Sequence, residues 1–145
     1  MKDRTIGEGR DDWTVRLQCN SSHLLNDHAD HSARAKALIE CCERGSGPLR
    51  IALHTLCEVV YVLEHEGLGR EQTYEAIRDF LGIRGIEVDE EGTALEALAD
   101  YRDKGVDFSD ALLAAIARQS HEIVWTFNQK HFARMDGLWR TPPAT

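Results

Sequence analysis

Long apolar runs are missing from this chain. The longest stretch with almost no formal charge, Ile51 to Val62, is broken by Glu58. It falls well short of the ~20 apolar residues that a membrane-spanning helix needs. Paired cysteines are missing as well. Cys19, Cys41, Cys42 and Cys57 form no Cys-x-x-Cys, and no zinc-type spacing is present. Reduced thiols in a cytoplasmic protein are the expectation. Positive charge is scarce, with 17 Lys and Arg against 25 Asp and Glu and a net charge of −8. Phosphate repels such a chain, so if it handles RNA it must do so through a local basic rim or bound metal cations. The N-terminus, MKDRTIGEGRDDW, has no apolar core and does not read as a signal peptide. There is no GxGxxG, P-loop, GxSxG or HExxH, no internal repeat and no low-complexity tract.

What remains is the balance of one globular domain: 145 residues, 42% hydrophobic and 29% charged. Residues 1–13 read as a disordered tail and residues 14–145 as a single domain. Thr14 to Cys19 alternates like a short strand, with Val15, Leu17 and Cys19 in phase. A helix follows from His31, with Ala35, Leu38, Ile39 and Cys42 at helical spacing. Leu49 to Leu53 is a strand, and Thr55 is placed to cap a helix running to Glu66. Apolar residues go all round that helix, so it should be largely buried. Helices are expected over Arg70 to Leu81, Thr93 to Lys104 and Asp110 to Gln119, the last capped by Ser109. Gly85 to Val88 and Ile123 to Phe127 read as strands, with short pieces at Phe132 and Leu138. Strands alternating with helices imply an α/β fold whose parallel sheet is covered on both faces.

The placement of the acids is more telling than their number. Glu58 sits in LCEVVYVL, a helix with no polar side on which to hide it. A buried carboxylate without a partner costs several kcal/mol, so it is expected to be paired, protonated or bound to metal. Asp107 and Asp110 open the apolar helix in DFSDALLAAIA, where the helix dipole favours an anion. Taken alone, this pair is an ordinary set of N-terminal acids. Asn128 follows a strand in WTFNQKHF. Ligand sites in parallel sheets form at the carboxyl ends of strands. Glu58, Asp110 and Asn128 should therefore converge on one crevice, and oxygen ligands of this kind suit Mg²⁺ or Mn²⁺. The Asp27, His28, Asp30 and His31 cluster reads as a solvated helix cap, His54 packs beside a cap, and His121 and His131 read as surface residues.

Four segments, LLNDHADHSARAKALIE, LCEVVYVL, GIEVDEEGTALEALADYRDKGVDFSDALLAAIA and IVWTFNQKHFARMDGL, resemble PIN-domain ribonucleases of the VapC toxin type in order and spacing, from about Leu24 to Pro142. The resemblance implies a PIN-like three-layer α/β/α sandwich with a central, mainly parallel sheet. It implies a metal-dependent endoribonuclease with Mg²⁺ or Mn²⁺ held by carboxylates. By motif, Glu58 and Asp110 become metal ligands, with Asp107 and Asn128 completing the catalytic set. It also implies a homodimer and a small antitoxin protein whose peptide enters the acidic site. Arg34, Lys36, Lys130 and Arg134 are candidate phosphate contacts, although a solvated face is the simpler reading of each.

One family element is missing. The first strand of these enzymes ends in Asp-Ser/Thr-Asn, ahead of a segment like LLND. Here LLND stands at Leu24 to Asp27, yet no acid lies between Asp12 and Asp27. In register, the lost Asp falls at Arg16 or Leu17. One of the codon sets that can encode Arg16 to Ser22 is CGACTCCAATGTAATTCTTCG. Read one nucleotide later, this spells Asp-Ser-Asn-Val-Ile-Leu and the start of Arg. The expectation is that residues 1 to about 22 are out of frame relative to an ancestral toxin. The alternatives to an active enzyme are a catalytically impaired PIN domain that binds antitoxin or RNA without cutting, and a purely structural α/β domain. The last leaves Glu58 unexplained.

Overall fold

A computed structural model of the chain describes residues 15–17, 29–45 and 47–145. The expected tail over 1–13, the LLND segment, Cys19, Asp27 and His28 lie outside the described residues. So do the side chains of Asp30 and His31, whose backbone is helical.

The elements run β1 (Val15–Leu17), α1 (Ala29–Glu43), β2 (Leu49–Ile51), α2 (Leu53–His65), α3 (Arg70–Leu81), β3 (Ile86–Val88), α4 (Glu91–Lys104), α5 (Phe108–Ser120), β4 (Ile123–Trp125), α6 (Gln129–Phe132) and β5 (Leu138–Arg140). Among the described residues every strand pairing is parallel, as the alternation of strands and helices requires. Among them the ladders fall into two sets, β1-β2-β3 and β4-β5, where one sheet was expected. The sequence of β1 gives a physical reason. A central parallel strand is buried on both faces and is apolar throughout. Val15-Arg16-Leu17 alternates instead, and its register sets Arg16 beside Arg50 of β2. Such a strand suits a sheet edge and not the seam between two halves.

Two helix starts differ from expectation. α2 begins directly after β2, with Ala52 at its N-cap. Thr55 is therefore inside the helix and buried, and caps nothing. α5 begins at Phe108 with Asp107 at the N-cap, so Ser109 lies in the first turn. Chain connectivity sets both starts: each helix begins as soon as the chain leaves its preceding strand or loop, ahead of the nominal capping residue.

The core is built from Leu49, Ile51, Leu56, Ile77, Leu98 and Tyr101, all essentially inaccessible to solvent. α4 and α5 form the most extensively packed pair of elements among the described residues. Both helices bury alanines, Ala94 and Ala97 on α4 and Ala111, Ala114 and Ala115 on α5, small enough to let packed backbones approach. Tyr101 joins this pair to the rest. Its hydroxyl donates to Glu64 Oε1 at 2.7 Å, and the Arg70 guanidinium lies 4.7 Å from its ring centre. Burial is the main reason its phenol is pushed up to about 12, and the Glu64 bond adds to it. The stability tied to that proton is fully present below the ordinary tyrosine range. It is lost as pH climbs towards 12.

Gly85 turns the chain into β3 with φ +87°, a conformation that costs a side chain dearly. A Cβ there would press into the backbone carbonyl of Cys42, inside van der Waals contact. Gly85→Ala should destabilise the fold by about 2–4 kcal/mol, combining backbone strain with overpacking. Urea unfolding measures this directly. An alanine variant as stable as the parent would mean that α1 does not pack on this turn. Burial pushes the thiols of Cys42 and Cys57 up, which makes them poor nucleophiles. Among the described residues no helix is long and apolar enough to cross a membrane.

Candidate metal centre

The N-terminus of α5 and the start of α6 meet. Asp107 occupies the N-cap of α5 in extended conformation and makes no side-chain capping bond, so its carboxylate is not spent on the helix. Asp110 lies three residues further on, in the first turn. Both carboxylates stand where the helix dipole favours negative charge. Asn128 leaves β4 through Thr126 and Phe127. Its backbone N–H donates to Thr126 Oγ1 at 3.0 Å.

The side chains then converge on one atom. Asn128 Nδ2 donates to Asp110 Oδ2 at 2.7 Å, and His131 Nδ1 lies 2.8 Å from the same oxygen. Asn128 Nδ2 and His131 Nδ1 are 2.9 Å apart. The ring nitrogen cannot both accept from Asn128 and donate to Asp110. Donation to Asp110 is favoured, because the alternative sets a lone pair against a carboxylate oxygen. Asp110 thus receives two N–H donors. Asp107 stands at the edge, its Oδ2 3.8 Å from His131 Nδ1. Asp110 and His131 are largely buried and Asp107 is exposed.

Asp107, Asp110 and His131 each offer one ligand atom, all within 4.8 Å of one another. Ligands on neighbouring corners of an octahedron with ~2.1 Å bonds stand about 3 Å apart, and opposite corners about 4.2 Å. The 2.8 and 3.8 Å separations at His131 fall in that range. Carboxylate oxygens suit Mg²⁺ or Mn²⁺, and an imidazole nitrogen is compatible with Mn²⁺ among other transition metals.

The sequence-expected residues are therefore partly gathered. Asp110 and Asn128, from different elements, are in direct contact, and Asp107 is alongside. Glu58 is not a member of this compact group. It lies in the second turn of α2, the helix that follows β2 and packs on α5. One of its carboxylate oxygens, Oε2, is buried with no hydrogen-bond partner. An orphaned anionic oxygen of this kind costs free energy unless a cation or a proton meets it. Such an oxygen suits a hard divalent cation, as do the carboxylates of Asp107 and Asp110.

His131 corrects the reading of it as a surface residue. The signal was present: Asn128 and His131 are three residues apart, and that spacing puts two side chains on the same side of a helical turn. His54 and His121 are exposed, and His121 closes α5 in a left-handed conformation. Of the candidate phosphate contacts, Arg34, Lys36, Lys130 and Arg134 are all exposed, and Arg134 donates to the carbonyl of Gly105 at 3.0 Å.

A sequence profile described as the PIN domain matches residues 21–138. No curated protein matches the chain.

Proposed function

This chain belongs to the PIN domain family, and on that premise we propose that it is a metal-dependent endoribonuclease, the toxin of a toxin–antitoxin pair. PIN domains imply an α/β fold and nuclease chemistry, commonly with divalent metal. The observation that carries the reading is the convergence of Asp107, Asp110, Asn128 and His131 at the head of α5. Glu58, with its unmatched buried oxygen, supplies the further acid.

Asp110 and Glu58 would hold Mg²⁺ or Mn²⁺, with Asp107 available at the rim. Such an ion activates water and neutralises charge on a phosphodiester. The chain's own residues prepare the site. Asn128 orients Asp110 through its amide, and an amide can stand this close to a carboxylate without repelling it. His131 holds a proton against Asp110 Oδ2, lowering the cost of that charge when no cation is bound. A bound cation also answers the problem of net charge, since acids this dense repel RNA on their own.

In this reading residues 14–145 form one domain, a three-layer α/β/α sandwich. The β1-β2-β3 and β4-β5 ladders are halves of one sheet that an apolar first strand would join. A homodimer and an antitoxin peptide entering the acidic site complete the proposal, and both rest on the resemblance to VapC-type toxins. A second reading, a PIN domain that binds RNA or antitoxin without cleaving, is favoured by one observation. No acid stands between Asp12 and Asp27, and β1 carries Arg16 near the place of the family's first Asp.

Cleavage of a mixed RNA pool by the purified chain tests the reading. Cleavage that requires Mg²⁺ or Mn²⁺ and stops with EDTA is expected for the enzyme. Cleavage indifferent to EDTA would rule out the metal mechanism. RNA binding without cleavage would select the second reading.

A further inference from the structure

The two halves of the metal centre come from separate stretches of chain. Asp107 and Asp110 stand at the head of α5, while Asn128 and His131 belong to the α6 segment. Only Gly105 and Val106 lie between the end of α4 at Lys104 and Asp107. Asp107 makes no capping bond with its own helix. The direction of its carboxylate is therefore inherited from the backbone just ahead of it.

Both carbonyls of that two-residue link are held by arginines reaching in from elsewhere. Arg70, the first residue of α3, donates from Nη1 to the Val106 carbonyl at 2.6 Å. The same nitrogen donates to the carbonyl of Tyr101, in the last turn of α4, at 2.8 Å. Arg134 Nη1 donates to the Gly105 carbonyl at 3.0 Å. Guanidinium groups placed here also meet the negative end of the α4 dipole.

Arg134 differs from Arg70 in where its other end is fixed. Its backbone N–H donates to the His131 carbonyl at 3.1 Å. Phe132 and Met135, on either side of it, are buried, and Arg118 Nη1 donates to the Asp136 carbonyl at 2.7 Å. The arginine thus springs from a fixed base in the second half of the centre. A ring of contacts closes. It runs from His131 to Arg134 through the backbone and from Arg134 to Gly105 through the side chain. Two peptide bonds lead on to Asp107, whose Oδ2 lies 3.8 Å from His131 Nδ1.

We infer that Arg134 is a positioning residue for the metal centre: it ties the α6 segment to the Gly105–Val106 link and so sets the Asp107 carboxylate against His131 and Asp110. This rests on the metal-centre reading and adds to it the residue that joins the two halves. The role is distinct from contact with phosphate. A phosphate contact acts on RNA, whereas a tie acts on the ion site with no RNA present.

The test is titration of the full chain with Mn²⁺ in the absence of RNA, followed by the electron paramagnetic resonance of the free ion. Arg134→Ala should weaken Mn²⁺ binding by about three- to tenfold, below the roughly 10–100-fold cost of losing a direct partner of a ligand. Charge alone predicts the opposite sign, because removing a positive group from the neighbourhood of a metal site favours the ion. Asp107→Asn should weaken binding by itself. In that background Arg134→Ala should cost almost nothing further, since the tie acts through the Asp107 carboxylate. Arg134 is exposed, so its loss should move the melting temperature by no more than a few degrees. Mn²⁺ binding unchanged or tightened in Arg134→Ala would overturn the tie and leave the metal centre standing. Losses that add in full in the double variant would overturn it too. Collapse of the fold in Arg134→Ala would do the same, for the arginine would then be structural. Absence of saturable Mn²⁺ binding by the parent would remove the metal centre and the tie together.

Discussion

Asp110→Asn should abolish metal-dependent cleavage while leaving the fold in place. Asp110 combines proximity to Asp107, burial, and two N–H donors converging on one oxygen. An amide at this position keeps the shape but removes the anion. Loss of an outer-shell partner costs roughly 10–100-fold in metal affinity or activity, and loss of a ligand itself should cost more. The structural cost is small by comparison. An acid in the first helical turn contributes about 0.3–1 kcal/mol through the dipole, so the melting temperature should shift by only a few degrees. Steady cleavage by this variant, at the parent's rate, would mean that the site has been placed in the wrong part of the molecule.

The second large effect concerns the first strand. Replacing Arg16 to Ser22 by Asp-Ser-Asn-Val-Ile-Leu-Arg should raise cleavage by about a hundredfold or more. Misplacing a reacting group by as little as 1 Å costs on that order. A centre lacking one acid cannot align water and phosphate as tightly as a complete one. Equal rates for the two chains would show that the first acid is dispensable or replaced. The natural gene offers an independent check. Codons 16–22 must spell the motif when read one nucleotide later, or the out-of-frame origin of the N-terminal segment is wrong.

The helices were the most legible part of the chain. Arg70–Leu81 has the bounds its periodicity sets, because Gly69 and Gly82 flank it and Tyr74, Ile77 and Leu81 share a stripe. The parallel character of the sheet was legible too, since strands separated by whole helices have no other simple pairing. Helix starts were less so. Thr55 and Ser109 carry the right chemistry for a cap, but the helices begin earlier, at the ends of the preceding segments. The split into two ladders depends on whether a strand of three residues meets the next one in space, which alternation does not encode.

For the site, Asp110 and Asn128 stood out by position, each at the end of an element, whereas Asp107 entered through the family resemblance, and the structure sets the three close together. His131 was read as a surface residue despite its spacing from Asn128, because a histidine in a short polar helix looks solvated until the fold turns it onto Asp110. Glu58 is the reverse case. Its oddity, a lone acid in an apolar helix, was visible in the sequence, and the structure leaves one of its oxygens buried without a partner.

The central claim is that this chain builds a divalent-cation site from Glu58, Asp107 and Asp110, whether or not the centre is catalytically complete. Titration of Mn²⁺ followed by electron paramagnetic resonance measures that claim without any need for turnover. The parent chain should bind Mn²⁺ in a saturable, EDTA-reversible manner, and both Glu58→Gln and Asp110→Asn should weaken binding by tenfold or more, on the scale of lost metal partners. Mn²⁺ binding that is absent in the parent, or unchanged in both variants, would contradict it.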